Sequence, residues 1–297
     1  MDKVLSRKNP AQSHGIILGS IIALISATTF ALNMVLASIS YDHGANIHAL
    51  NFARAEVFFG CLLLVVLIKQ PSLAMPPAAR RSTLLLGFLL CSLMYALLGA
   101  VQTIPVALAV LIFYTYPILI AVFRWIRGED QFSILALVLM AVAFSGLVFV
   151  LVNAPVSLKI SGIGFSIAAA LIMATMLVTS ERSLNQFNTF VVMVQVLAVV
   201  TTILLFLALT AVEHRWPESD IGWLAFSGST IFYVVATFTL FQAVSMVGPL
   251  RTAIIDNTAP VWAMIFGYLL LHQSLTPLQL GGAAMVVGSV MLLQWVS

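Results

Sequence analysis

The chain has 297 residues, of which 62% are hydrophobic and only 8% are charged, and its formal net charge is +3. A soluble domain carries about 25% charged residues, so this composition excludes an ordinary soluble protein. The apolar surface exceeds what one soluble core can bury, which predicts that a lipid bilayer surrounds the chain. We expect no nucleic-acid partner.

Ten apolar segments of about 17–24 residues follow one another, each long enough to cross about 30 Å of hydrocarbon as a helix. The predicted spans are 15–39, 46–68, 82–98, 105–123, 131–152, 161–181, 189–212, 220–242, 250–270 and 276–296. The breaks at 99–104 and 243–249 contain no charged residue, and only Gly, Pro and Gln indicate turns there. The first span is too long for a signal peptide. We therefore predict an all-α polytopic membrane protein with one integral membrane domain over 1–297.

Lysine and arginine are distributed unequally between the two ends of these spans. Ten of the 13 lie on the side that carries both termini, whereas the opposite side has only Lys159 and Arg215. Positive charge is enriched in cytoplasmic loops. Both termini are therefore predicted to face the cytoplasm of a bacterial inner membrane, and loops 153–160 and 213–219 are predicted to face outside.

A short apolar string returns halfway along the chain. Residues 23–28 read ALISAT and residues 170–175 read ALIMAT, an offset of 147. At the similar offset of 143, Pro117 meets Pro260. The two halves are thus predicted to be copies of one unit.

These copies comprise spans 1–5, residues 15–152, and spans 6–10, residues 161–296. Because five is odd, the second copy enters the membrane from the opposite face. Such an inverted repeat is typical of secondary transporters, in which the substrate site lies between the copies near the midplane.

Prolines interrupt two corresponding spans, Pro117 in span 4 and Pro260 in span 9. Paired interruptions of this kind indicate a transporter binding site, because proline removes a helical hydrogen bond and the freed carbonyl needs a cavity or an interface. Tyr114 and Asn257 lie one turn earlier at equivalent positions and join the predicted site. The alternative is that both prolines only bend helices for packing.

Spans 3 and 8 carry matching stripes on one helical face. The members are Tyr95, Gly99 and Gln102 in span 3 and Phe238, Gln242 and Ser245 in span 8. An embedded Tyr or Gln needs a hydrogen-bond partner, so these residues are predicted to face protein or water. The alternative is that Tyr95 and Gln102 anchor the span at the interface.

Spans 1 and 6 have a shared stripe and a divergent one. Leu24 and Thr28 recur as Leu171 and Thr175 and are predicted to pack in both halves. The divergent positions include Thr29, Phe30 and Asn33 in span 1 and Met173 and Met176 in span 6. Since a single substrate is asymmetric, the divergent face is the predicted cavity wall, with Met as an adaptable surface. The alternative is that these Met residues are apolar filler.

Three charged residues lie inside spans, Arg54, Glu56 and Asp256. An arginine at mid-membrane costs about 2.5–3.5 kcal/mol on insertion scales. Arg54 is predicted either to snorkel to the interface or to hold span 2 against its neighbours. Asp256 and Glu56 are candidate proton-coupling groups. Alternatively, Asp256 is a helix-entry residue paired with Arg251 or capped by Thr252.

Enzymatic and channel functions lack support in the sequence. It contains no HExxH, CxxC, GxSxG or phosphate-cradling motif, so we expect no catalysis, metal or cofactor. A channel would need rings of charge or a filter motif. Phosphate-bearing cargo would need more buried Lys or Arg than Arg54 alone.

Several local patterns point to a known family. They are GxxxGSxxA in span 1, FARAEVF around Arg54, YTYPILIAVF around Pro117, and the Gly128-Glu129 pair that follows. The chain resembles the EamA-type ten-helix branch of the drug/metabolite transporter superfamily. In the second copy Pro260 is retained, but Leu271-His272 stands where the first copy has Gly-Glu.

This resemblance implies a metabolite exporter, most similar in style to exporters of aromatic amino acids. We predict a monomer that exports small apolar or aromatic substrates by alternating access. Tyr95, Tyr114 and Phe238 would enclose the apolar part, and Asn33, Gln242 and Asn257 would meet the polar end. The alternative is a proton-coupled multidrug efflux transporter, although neither span 1 nor the interior of span 6 has an acidic residue like the glutamate of the related four-helix efflux proteins.

Overall fold

A computed structural model describes residues 10–69, 72–126, 128, 134–152, 159–186, 189–210, 213–247, 252 and 255–296. The helices are α1 (Pro10–Asp42), α2 (Ile47–Lys69), α3 (Pro77–Val101), α4 (Val106–Phe113), α5 (Tyr116–Ile126), α6 (Ile134–Val152), α7 (Ile160–Gln186), α8 (Thr189–Leu209), α9 (Asp220–Val247), α10 (Ala259–Leu271) and α11 (Pro277–Val296). The basic tail 1–9, Glu129, Arg251 and most of loop 153–160 lie outside the described residues.

Within this part of the chain, the regular structure is entirely helical, because a helix satisfies its own backbone hydrogen bonds in lipid. Six helices are long and apolar enough to cross a membrane: α1, α2, α3, α7, α8 and α9. Shorter apolar helical segments occupy 106–120, 137–150, 259–271 and 277–292. Together they correspond to the ten predicted spans, and the predicted fold class, an all-α polytopic membrane protein, is confirmed.

The fourth predicted span is interrupted in the middle of its length. α4 ends at Phe113, residues 114–115 form a turn, and Pro117 is the second residue of α5. In the second half, residues 257–258 form the equivalent turn and Pro260 is the second residue of α10. Proline is tolerated in the first turn of a helix, where its missing N–H is not needed. Both prolines therefore begin a new helix rather than bend a continuous one.

The pattern of helix contacts stays the same when each helix is replaced by its counterpart in the other half. α1 packs most extensively against α9, and their counterparts α7 and α3 pack against each other. α1 also contacts α10, as α7 contacts α4 and α5. The equivalent helices α6 and α11 pack together, and so do α2 and α8. This exchange is the packing that two inverted five-helix repeats produce.

The alanines of the repeated strings make the close helix contacts. Ala23, Ala27, Ala170 and Ala174 are completely or almost completely buried, and small residues let membrane helices approach closely. The prediction for the leucine stripe was wrong, because Leu24 and Leu171 are both 41% exposed. The hydroxyls of Thr28 and Thr175 do bond to carbonyls of the preceding turn, as expected for threonine in a helix.

The contact between α6 and α11 depends on two glycines. A Cβ atom at Gly146 would lie 2.6 Å from the carbonyl oxygen of Gly282, and one at Gly282 would lie 2.6 Å from the carbonyl oxygen of Gly146. The two backbones therefore touch where no side chain fits. This contact joins the last helix of one half to the last helix of the other.

Candidate functional site

A cavity of about 190 Å³ lies where the two halves meet. Residues of α1, α2 and α3 from the first half and of α7, α8 and α9 from the second half line it, together with the two helix interruptions. Its wall is mainly aromatic and aliphatic, with several methionines. Among the described residues of the wall, the two charged ones are Arg54 and Asp256.

Five residues of the predicted site lie in the cavity wall. They are Phe30, Tyr114, Met173, Met176 and Asp256. Phe30 and both methionines belong to the divergent faces of α1 and α7. Tyr114 and Asp256 lie at the helix interruptions. The two groups of residues predicted from the sequence, those on the divergent faces and those at the proline interruptions, therefore contribute to one cavity.

The first interruption concentrates aromatic rings. The Phe113 and Tyr114 rings meet edge to face with centroids 5.2 Å apart, and the Tyr114 and Tyr116 centroids are 5.8 Å apart. Phe30 from α1 adds a ring whose centroid lies 6.1 Å from that of Phe113. Aromatic pairs at such distances stabilise one another, so the interruption creates an aromatic corner of the cavity.

The two interruptions are joined by one hydrogen bond. The Tyr114 hydroxyl donates to Asp256 Oδ2 at 2.9 Å. Tyr114 precedes α5 in the first half, and Asp256 precedes α10 in the second half. The only described carboxylate of the cavity wall is thus held by the aromatic corner of the other half.

Arg54 forms a polar cluster at another part of the wall and is only 1% exposed. Its Nη2 donates to Asn33 Oδ1 and, at 2.6 Å, to Ser229 Oγ. Its guanidinium carbon lies 5.3 Å from the centroid of the Tyr233 ring, a cation–π contact. These bonds join α2 to α1 and α9, which is the holding role predicted for Arg54.

Asn33 occupies a different role from the one expected of it. It was predicted to meet the polar end of a substrate, but it accepts from Arg54 and does not line the cavity. Ser229 and Tyr233 were not predicted. They lie four residues apart on one face of α9. Polar side chains within a membrane span need hydrogen-bond partners, which is the signal that could have identified them.

Phe238 lies outside the cavity and is 51% exposed. The cavity face of α9 carries Tyr233, Thr237, Leu240 and Phe241 instead. Because successive residues of a helix are 100° apart, Phe238 points well away from that face. The alignment with α3 could not show which face of α9 turns inward.

Other predicted residues also lie away from the cavity wall. Tyr95 has its hydroxyl 3.2 Å from His48 Nδ1, and Gly99 packs against the ring of Phe165. The Thr29 hydroxyl donates to the Ile25 carbonyl of its own helix at 2.7 Å. The remaining members are Glu56, Pro117, Gln242, Asn257 and Pro260, of which Gln242 is exposed and Pro117, Asn257 and Pro260 are buried.

Hydrogen bonds seal the end of the molecule where α1 meets α2. Asn46 donates from its backbone N–H to the Arg215 carbonyl at 3.0 Å and from its side chain to the Glu213 carbonyl at 2.7 Å. Glu218 donates its backbone N–H to the His43 carbonyl at 2.9 Å. Gly44 allows this tight contact, because its φ is 95° and a Cβ atom would lie 3.0 Å from the Glu218 side chain.

Apolar packing joins the helices at the opposite end. Met75 forms a small buried cluster with Val191 and Val192, and the Gln195 side chain donates to the Leu73 carbonyl at 3.0 Å. The cavity extends towards this end, since Val192 near the beginning of α8 lines it. It also extends towards the hydrogen-bonded end, since Leu98 near the end of α3 and Arg54 in the first half of α2 line it.

Comparisons with known proteins agree with this architecture. The model of the EamA-like transporter family matches residues 17–152 and again residues 160–295. An uncharacterized transporter from Synechocystis sp. is 26% identical over 218 residues, and the match covers 70% of this chain and 65% of that protein's length.

A solved crystal structure is similar over 91% of this chain and 95% of its own chain, with a TM-score of 0.65 and 20% sequence identity. At that identity the likeness concerns the fold alone. The two matches of the family model coincide with the two halves that exchange in the packing of the helices. The chain therefore belongs to the EamA-like transporter family, with one copy of the family unit in each half.

Proposed function

We propose that this protein is a secondary transporter that exports small apolar or aromatic metabolites, most suitably hydrophobic or aromatic amino acids, by alternating access. The observation that carries the proposal is the cavity between the two halves. An inverted-repeat transporter binds its substrate at this interface.

The size and wall of the cavity support a small aromatic cargo. An engineered apolar cavity of about 150 Å³ binds benzene, and this cavity measures about 190 Å³. The aromatic corner around Tyr114 offers ring faces and edges, and Met173 and Met176 offer an adaptable wall. One aromatic ring with a short polar end fits such a space.

The charges of the wall support a cargo with little net charge. One cation, Arg54, and one acid, Asp256, line the cavity. The charges of a zwitterionic amino acid cancel in the same way. Phosphate-bearing cargo would call for several cationic side chains, and the described wall offers one.

The lysine and arginine distribution supports an orientation with both termini in the cytoplasm of a bacterial inner membrane. In that orientation the hydrogen-bonded end, where α1 meets α2, faces outside. We further propose that the monomer is the transporting unit, since both halves of one chain supply the cavity.

Single-cysteine labelling tests the orientation. A cysteine introduced at Ser157 is expected to react with a membrane-impermeant thiol reagent added outside, and one introduced at Ser72 is expected to be protected from it. Both variants need Cys61 and Cys91 replaced by Ser or Ala. Labelling of Ser157→Cys only from the cytoplasmic side would show that the proposed topology is inverted.

Transport assays test the cargo. Cells that overproduce the protein are expected to resist toxic aromatic amino acid analogues and to hold less internal Phe or Trp. Purified protein in liposomes is expected to move Phe and Trp faster than Lys or Glu. Equal rates for all four amino acids would contradict an aromatic preference, and no movement of any of them would contradict amino acid transport.

One observation favours a second candidate, a proton-coupled multidrug efflux transporter. Asp256 provides a buried carboxylate in the cavity wall, bonded to Tyr114, and intramembrane carboxylates serve as proton relays. Movement of a cationic dye against a proton gradient, without movement of any amino acid, would select this function in place of the first.

A further inference from the structure

Arg54 has a buried positive charge that no acidic side chain neutralises within the described part of the chain. Its hydrogen-bond partners are Asn33 and Ser229, both neutral. The acid of the cavity wall, Asp256, is bonded to Tyr114 instead. A buried charge with only neutral partners is costly, and an opposite charge with good geometry relieves that cost.

The guanidinium also keeps donors unused. Arginine has five N–H donors, and the structure gives hydrogen-bond partners to those on Nη2 alone. Nε is buried without a hydrogen-bond partner, although Arg54 lines the cavity. Both hydrogens of Nη2 are used by Asn33 and Ser229, so the donors left for a ligand in the cavity are those of Nη1. A cationic N–H donor of this kind forms a strong, charge-assisted hydrogen bond to a carboxylate.

The neighbours of Arg54 keep the guanidinium in place. Ser229 Oγ lies 3.0 Å from the Asn33 carbonyl oxygen and 3.1 Å from Asn33 Oδ1, so the two partners of Nη2 also bind each other. The Tyr233 ring covers one face of the guanidinium. An arginine that is held on one edge and one face loses little side-chain freedom when an anion binds the remaining donors.

We infer that Arg54 is the binding site for the carboxylate of the transported molecule. The inference rests on the proposed function and narrows its cargo to monocarboxylates with an apolar or aromatic body. In an amino acid, the side chain would then pack against the aromatic residues of the cavity wall, such as Phe30, Phe113 and Tyr116.

A series of three matched ligands tests the inference on the unaltered full-length chain. The ligands are phenylalanine, 3-phenylpropionate, which lacks the amine, and phenethylamine, which lacks the carboxylate. Binding is measured by calorimetry on purified protein in lipid nanodiscs. We expect phenylalanine and 3-phenylpropionate to bind, and phenethylamine to bind at least tenfold more weakly than phenylalanine.

Variants provide an independent test. Arg54→Gln is expected to weaken the binding of phenylalanine and 3-phenylpropionate at least tenfold and to leave phenethylamine binding unchanged. Arg80→Gln is the matched control, because Arg80 is exposed and lies outside the cavity. Because Arg54 also joins three helices, the binding data for Arg54→Gln are used only if its melting temperature is close to that of the unaltered protein. The ligand series is measured on the unaltered chain and does not depend on any variant.

The outcomes separate the two proposals. If phenethylamine binds as tightly as phenylalanine, the carboxylate site is refuted while aromatic cargo stands. If Arg54→Gln weakens all three ligands equally, Arg54 supports the cavity without recognising a carboxylate. If none of the three binds and none is transported, the proposed function itself fails and the inference fails with it.

Discussion

The two interrupted helices have the same backbone and different side chains. Each has a two-residue turn followed by a helix whose second residue is proline, Pro117 in one half and Pro260 in the other. The first interruption presents Phe113, Tyr114 and Tyr116 to the cavity, whereas the second presents Asp256. Repetition thus accounts for the paired breaks, and divergence accounts for the chemistry of the cavity.

This difference makes the cavity chemically asymmetric, although the packing of the helices is symmetric. The first half of the chain supplies an aromatic corner and the second half supplies a carboxylate. The hydrogen bond from Tyr114 to Asp256 connects them.

The largest effect is expected when the second interruption loses its acid. Asp256→Asn keeps the shape and can still accept from Tyr114, but it removes the charge. We expect transport in liposomes to fall about tenfold or more, and the pH dependence of transport to change if this acid carries protons. Asp42→Asn, at an exposed acid on the last turn of α1, is the control. Unchanged rates and pH dependence in Asp256→Asn would remove Asp256 from the mechanism.

A smaller and symmetric effect is expected for the prolines. Alanine at either position permits a continuous helix across the turn, which would displace Tyr114 in one half and Asp256 in the other. We expect Pro117→Ala and Pro260→Ala each to lower transport about fivefold with little change in the melting temperature. Pro76→Ala, at the exposed beginning of α3, serves as the control.

Comparable transport by well-folded Pro117→Ala, Pro260→Ala and unaltered protein would leave both prolines as packing features. A loss in only one of the two variants would show that the halves are alike in backbone but not in their contribution to transport.

The smallest effect separates two phenylalanines on α9. Phe241 lines the cavity and Phe238 is exposed, so Phe241→Ala is expected to lower the transport of Phe about threefold, and Phe238→Ala is expected to leave it near the unaltered rate. Tyr95→Ala provides a further comparison, because Tyr95 binds His48 away from the cavity wall. A stronger loss in Phe238→Ala than in Phe241→Ala would show that the outer face of α9 contacts the cargo.

Sequence alone determined the class of protein, the ten spans and the duplication. These properties depend on local composition and on identity between distant strings, and both can be measured without knowing which residues touch. The positions of Pro117 and Pro260 also located the two interruptions, because a missing N–H favours the beginning of a helix wherever it occurs.

Only the tertiary structure decided which face of each helix turns inward. Leu24 is exposed while Ala23 is buried, and Phe238 is exposed while Phe241 lines the cavity. In water the apolar face of a helix marks its interior side, but lipid is as apolar as the protein core, so this signal is lost in a membrane. The partners of Arg54 required the same information, because Asn33 and Ser229 lie on helices from opposite halves that meet only in the folded chain.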